Sequence, residues 1–238
     1  MSKDNQTRMP STAKAELLLA AGKAAVSLIP FVGGSAAEVL GAFFGPQIEK
    51  RKTAWFERVV SGLEERSRQV VMPEDWWQSE AFTTAFLQAS RIAMRTHEQE
   101  KLDALRNAVV NVAAGKGPED DLQVMYFDVM DGLTPCHMQL LAFLSNPSSF
   151  GFAEKDETGA PSFPPAQAGE FVARYVSCLA NRSQVYELYA GGLVARGLID
   201  APGAFFGGKP TVDALKSITV TWFGRGFLDF ISAPDARQ

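Results

Sequence analysis

Two histidines and two cysteines have the widest chemical reach in this chain of 238 residues. Cys136 and His137 are neighbours in LTPCHMQLLAFL, and a thiolate with an imidazole would supply a nucleophile and its base. On a helix, however, adjacent side chains point about 100° apart, which denies them direct pairing. His97 stands with Glu98 and Glu100 on a charged stretch, and a carboxylate elsewhere in the fold could complete a site with either imidazole. The expectation is a solvated His97, a partly buried His137 and no catalytic residue. No cluster has zinc-ligand spacing, so no metal is expected. The glycine pairs at 33–34, 191–192 and 207–208 sit in no phosphate-cradling or dinucleotide context, so no cofactor is expected either. Neither Cys136 nor Cys178 belongs to a CxxC pair. The count points to free thiols in a reducing compartment, with a single disulfide as the alternative.

The more distinctive feature is SLIPFVGGSAAEVLGAFFGPQIEKRK, residues 27–52. Ile29, Pro30, Phe31, Val32, Gly33 and Gly34 form its apolar bend. Phe43 and Phe44 follow on the second arm, and Lys50, Arg51, Lys52 and Trp55 close it. A spanning helix needs about 20 apolar residues, and neither arm reaches that length unbroken. Lys23 and Glu38 would each cost about 2.5–3.5 kcal/mol at a bilayer centre. Three uses remain. Small residues let the hairpin pack as buried core, which is the leading reading. It could insert shallowly, with Phe43, Phe44 and Trp55 at the interface and the basic cluster against anionic headgroups. It could also form an oligomer interface.

The elements around these residues read as helical. Residues 1–12 are polar and flexible. A helix is expected from about Ala13 to Ile29, stopped by Pro30 and Gly33-Gly34. Ser35 caps a second, short helix to about Phe44, and Gly45-Pro46 breaks or kinks the path. From Gln47 to Val71 an amphipathic helix carries Ile48, Trp55, Val59 and Leu63 on one stripe. A long helix over Ser79–Ala114 buries Phe82, Phe86, Ala89, Ala93, Leu102, Leu105, Val109 and Val112, with RTHEQEK (95–101) as a solvated stretch within it. Asp120 or Asp121 starts a helix to about Asp131, and Thr134-Pro135 starts another that stops at Asn146-Pro147. Residues 147–169, rich in Pro, Gly and Ser, read as a long surface loop. Helices over about 165–179 and 182–196 come next, then β-branched alternation at Ile218, Val220 and Trp222 and a short closing helix.

Charge is unevenly divided. Residues 1–116 carry 15 Lys+Arg against 13 Asp+Glu, whereas residues 117–238 carry 8 against 14. An acidic second half suits a phosphate-backbone binder poorly. Hydrophobic residues at 46% with charged residues at 21% are values of a globular chain with a real core. Glu16 and Lys23 interrupt the apolar N-terminal run, so a cleaved signal is not expected.

Arg196-Gly197-Leu198-Ile199, a glycine-rich stretch, and Thr221-Trp222-Phe223-Gly224 in SITVTWFGRGFLDFI resemble the second half of a winged-helix domain, over roughly residues 121–232. The resemblance implies a helix leading into a strand, a hairpin wing, and a T-x-x-G helix that closes the unit. Winged helices often bind DNA, and Arg182, Arg196, Lys209 and Lys216 are the DNA-contact candidates. Glu187, Asp200 and Asp213 dilute that charge, so protein contact is the favoured use and nucleic acid is not expected. IPFVGG, EKRKTAWFERV, RIAMRTHEQEKLDALRNAV and LTPCHMQLLAFL also resemble an uncharacterised group of bacterial proteins. That likeness implies a bacterial source and brings no activity with it.

The sequence therefore predicts a mainly α protein. A helical part over 13–116 holds the hydrophobic hairpin, and a winged-helix-like α+β unit covers 117–238. Its expected function is that of a non-enzymatic interaction or effector module that self-associates or binds a protein partner. A membrane-active hairpin and a winged-helix DNA-binding regulator are the alternatives. The expected location is cytoplasmic, with a peripheral place at the inner membrane face as a further option.

Overall fold

Trp55, Val59 and Leu63 recur at four-residue intervals, and that stripe turns inward along one long helix, α1 (Ser35–Gln69). The structure, a computed structural model, describes residues 35–150, 168–201, 215 and 217–233, with the side chains of 35–43 and 183 left aside. The expected flexible start, the helix over 13–29 and the bend Ile29–Gly34 lie outside the described residues. So do the Phe43 side chain, Lys209, Lys216 and most of the loop at 147–169. Among the described residues are eight α-helices and one two-stranded antiparallel sheet, so the protein is mainly helical. By its contacts the chain divides into two units. The first takes residues up to Phe127 together with those from Phe230 onward, and the second takes Asp128–Asp229.

In the first unit α1 runs on through Pro46, where the sequence suggests a break or a kink, so the break is not made. A proline forfeits one helical hydrogen bond and crowds the preceding residue's Cβ. Here the preceding residue is Gly45, which has no Cβ, so part of the steric penalty is absent. The expected helix over 79–114 is in fact two, α2 (Glu80–Ala93) and α3 (Gln99–Ala113), packed together across a turn at residues 94–98. Within that turn Thr96 Oγ1 accepts the Glu98 amide at 3.2 Å, a local bond that competes with helix continuation. Of RTHEQEK, residues 95–98 therefore lie in the reversal between two helices, and Gln99, Glu100 and Lys101 open the second of them.

The two apolar faces meet that of α1. Trp76, Phe82, Phe86 and Phe56 form a string of rings, with Trp76 edge-on to Phe82 at 4.9 Å and Phe56 5.8 Å from Phe86. Burying one such ring stabilises by about 1.5–3 kcal/mol. Gly62 brings α1 close to α3, since a Cβ there would stand 3.0 Å from Arg106 and Val110 side-chain atoms. Gly115, at φ +72°, gives α3 the left-handed residue that commonly follows a helix end. Helix α4 (Asp120–Gly132) supplies Tyr126 and Phe127, which pack on Phe230 at 5.4 and 5.3 Å.

In the second unit α5 (Pro135–Ser145) starts where Thr134-Pro135 predicts and ends at Asn146. A 3₁₀ turn, Pro147–Phe150, opens the segment read as loop. The two helices expected over 165–179 and 182–196 are shorter. They are α6 (Ala168–Val172) and α7 (Tyr186–Val194), separated by 3₁₀ turns at Ser177–Leu179 and Ser183–Val185. Asn181, at φ 63°, turns the chain between them. Strands β1 (Ile199–Asp200) and β2 (Thr219–Val220) pair with Ile199 opposite Val220 and Asp200 opposite Thr219. Helix α8 (Trp222–Ile231) follows directly. Cys136 and Cys178 form a disulfide, which corrects the expectation of free thiols. It ties the first turn of α5 to the 3₁₀ turn at 177–179, two places that the sequence separates by 42 residues.

Candidate functional site

Trp55, expected at a membrane or partner interface, is 2% exposed and belongs to the core. Its Nε1 donates to Ser90 Oγ at 2.9 Å, and Ser90 in turn donates to the Phe86 carbonyl at 2.6 Å. The candidates around it separate. Phe44 is 57% exposed, Lys50 and Arg51 are exposed, and half-buried Lys52 reaches Glu49 at 3.4 Å. Among the described residues no helix is long and apolar enough to cross a membrane.

One face of the first unit does gather polar groups around a hollow. Between α1 and the turn at 94–98 lies a cleft of about 220 Å³. Trp55, Ala93 and Leu102 give it an apolar wall, and Arg51, Arg58, His97 and Gln99 give it a polar one. The Arg58 guanidinium is held by the Asp103 carboxylate and by Gln99 Oε1. Arg51 Nη1 reaches the Met94 carbonyl at 3.5 Å. Sequence reasoning singled out Arg51 for lipid headgroups and His97 as solvated. It missed Arg58 and Gln99, because the turn that brings α3 back against α1 was read as helix. A second, smaller cleft of about 70 Å³ has Arg66, Arg106 and Asn107 in its lining.

In the second unit the catalytic suspects serve the backbone. His137 Nδ1 accepts the Thr134 amide at 3.2 Å and lies 2.9 Å from Thr134 Oγ1, closing a capping box at the start of α5. Its ring packs edge-on to Tyr189 at 4.8 Å. A Cβ on Gly192 would stand 2.6 Å from His137 Nε2, so α7 passes close by the imidazole. Cys136, in the disulfide, has no thiol to offer. Among the described residues no three His, Cys, Asp or Glu side chains gather as a metal site.

Of the four DNA-contact candidates, the two described, Arg182 and Arg196, are likewise engaged. Arg182 Nη2 donates to the Cys178 carbonyl at 3.0 Å. Arg196 donates through Nη1 to Gly192 O at 3.0 Å and through Nη2 to Gly132 O at 3.3 Å. What α7 leaves to solvent is Leu188, 74% exposed, beside half-buried Glu187. Trp222, at the start of α8, is 67% exposed. The sequence does not single out Leu188, and it places Trp222 in the β-branched alternation, whereas the structure puts Trp222 at the start of α8. Tyr186, one turn before Ala190 on α7, is buried, and burial first and the Glu187 carboxylate second push its phenol far above the ordinary range.

The T-x-x-G segment has a specific geometry. Thr221 Oγ1 donates to the Gly197 carbonyl at 2.6 Å and accepts the Gly224 amide at 2.9 Å, while the Thr221 amide donates to Leu198 O at 3.1 Å. One threonine thus caps α8 and fastens its start to the chain entering β1. Family models, curated proteins and solved structures were compared with the chain, and none matches.

Proposed function

We propose that the chain is a non-enzymatic interaction module that works through protein contacts, with self-association as its first mode. Its second unit is read as a winged-helix-like domain. The ladder of β1 and β2, the Thr221 cap on α8 and the preceding helix α7 support that reading. The observation that carries the functional choice is the outer side of α7. Leu188 stands 74% exposed there, while Arg182 and Arg196 spend their guanidiniums on backbone carbonyls. A surface offering an exposed leucine and Glu187 suits a protein partner and repels a phosphate backbone. The disulfide supports an oxidising compartment over the cytoplasm expected from the cysteine count.

Size-exclusion chromatography with light scattering over a concentration series tests the proposal. Wild type is expected above monomer mass, and Leu188→Glu at monomer mass under the same conditions. Equal masses for the two proteins, together with a salt-sensitive duplex-DNA shift that disappears in Arg182→Ala/Arg196→Ala, overturn it.

A further inference from the structure

We propose that the cleft between α1 and the turn at 94–98 binds a small organic monoanion, one carboxylate carried on a short apolar body. Exposed Arg51 stands in its polar wall, with Nη1 at 3.5 Å from the Met94 carbonyl, the outer limit of a hydrogen bond. The guanidinium fork is therefore available to a planar acceptor, and a carboxylate matches it in a bidentate manner. Arg58, less exposed, is already met by the Asp103 carboxylate. Taking that pair together leaves one positive charge on the wall, which a carboxylate neutralises in full, whereas a phosphate dianion would carry a second, desolvated negative charge with no partner. Ala54 and Leu102 supply the accessible apolar lining, and only the edges of buried Trp55 and Ala93 reach it. The cleft, at about 220 Å³, is smaller than the roughly 300–1,000 Å³ of drug-sized sites, so the ligand's body is a single ring or a short branched chain.

Benzoate is the probe, with benzamide as its uncharged isostere and inorganic phosphate as the doubly charged comparison. Each is titrated into the full chain while NMR follows the Trp55 indole N–H and the amides of residues 96–102. Benzoate is expected to give saturable shifts there, and benzamide to bind about tenfold or more weakly. Phosphate is expected to give no saturable shift. Arg51→Gln is expected to weaken benzoate about tenfold, since a charged hydrogen-bond partner is lost. Arg51 is exposed, so the substitution leaves the core intact. Arg68→Gln, at an exposed position near the end of α1, should bind benzoate as wild type does. The proposal is overturned if benzoate produces no saturation, if benzamide equals it, if phosphate alone saturates, or if Arg51→Gln binds unchanged.

Discussion

The carbonyl oxygen of Leu198 occupies the space into which a Cβ on Gly224 would project. The contact is with backbone, which cannot swing aside as a flexible side chain can. Gly224 therefore permits the approach that Thr221 then fixes, its Oγ1 bridging the Gly197 carbonyl and the Gly224 amide. Gly224→Ala is expected to destabilise by about 1–3 kcal/mol through forced displacement of the Leu198 peptide. Thr221→Val should cost about 0.5–2 kcal/mol through the lost cap, and Thr221→Ser should recover most of it. Urea unfolding of the three variants gives the comparison, and a Gly224→Ala protein as stable as wild type would contradict the close approach.

The Cys136–Cys178 bridge closes a loop with a sequence separation of 42. In the chain-entropy treatment a loop of that length restrains the unfolded chain by about 4 kcal/mol. Thermal unfolding with and without a reductant is expected to show a lower midpoint for the reduced protein. Cys136→Ala/Cys178→Ala should melt near the reduced wild type and be indifferent to reductant. A thiol titration of unreduced, denatured protein should find no free cysteine.

Tyr186 sets an alkaline limit. Its phenol holds its proton in the folded state well above the ordinary range, chiefly through burial. The unfolded chain releases that proton above about pH 10. Stability is thus fully present below that value and falls as pH rises beyond it, because the unfolded state then binds fewer protons than the folded one. Urea midpoints taken from neutral to strongly alkaline pH should decline less steeply for Tyr186→Phe than for wild type. Parallel declines would assign the alkaline loss to other groups.

Ser90 accepts the indole N–H of a tryptophan that is almost wholly buried. Ser90→Ala leaves that donor without its acceptor and is expected to cost about 1–3 kcal/mol. Trp55→Phe/Ser90→Ala should cost less than the sum of the two single changes, since no donor then remains to be stranded. Thermal unfolding of the four proteins completes the cycle, and strict additivity would deny the pairing.

Much of the helical core was legible because its periodicity is strong. Trp55, Val59 and Leu63, and likewise Phe82, Phe86, Ala89, Leu105 and Val109, are buried as their spacing predicts. The reversal at 94–98 was not legible, for a physical reason. Its Met94, Arg95 and Glu98 are good helix formers, and no Gly or Pro marks the end of α2. The same blindness hid the cleft, whose polar wall exists because α3 folds back on α1. Helix α1 fooled the reading in the opposite sense, since Gly45-Pro46 looks like a stop and is absorbed. The disulfide stood only as the alternative to free thiols, because choosing it depends on where α5 and the turn at 177–179 meet. By contrast, Thr221 and Gly224 could be picked out as a motif, and their hydrogen bonds give that spacing its physical meaning.

Helix α8 ends under side chains from far earlier in the chain. Asn107 Nδ2 donates to Ile231 O at 3.0 Å, and Asn111 Nδ2 donates to Phe230 O at 3.0 Å and Ser232 O at 3.1 Å. The carbonyls these asparagines seek are translated 119 to 124 residues later. A ribosome therefore delivers α1, α2 and α3 long before the backbone that completes their layer. Such sequence-distant pairing slows folding and lengthens the time for which apolar surface waits uncovered. For the first unit, a layer begun early in the chain is thus closed by backbone from much later in it.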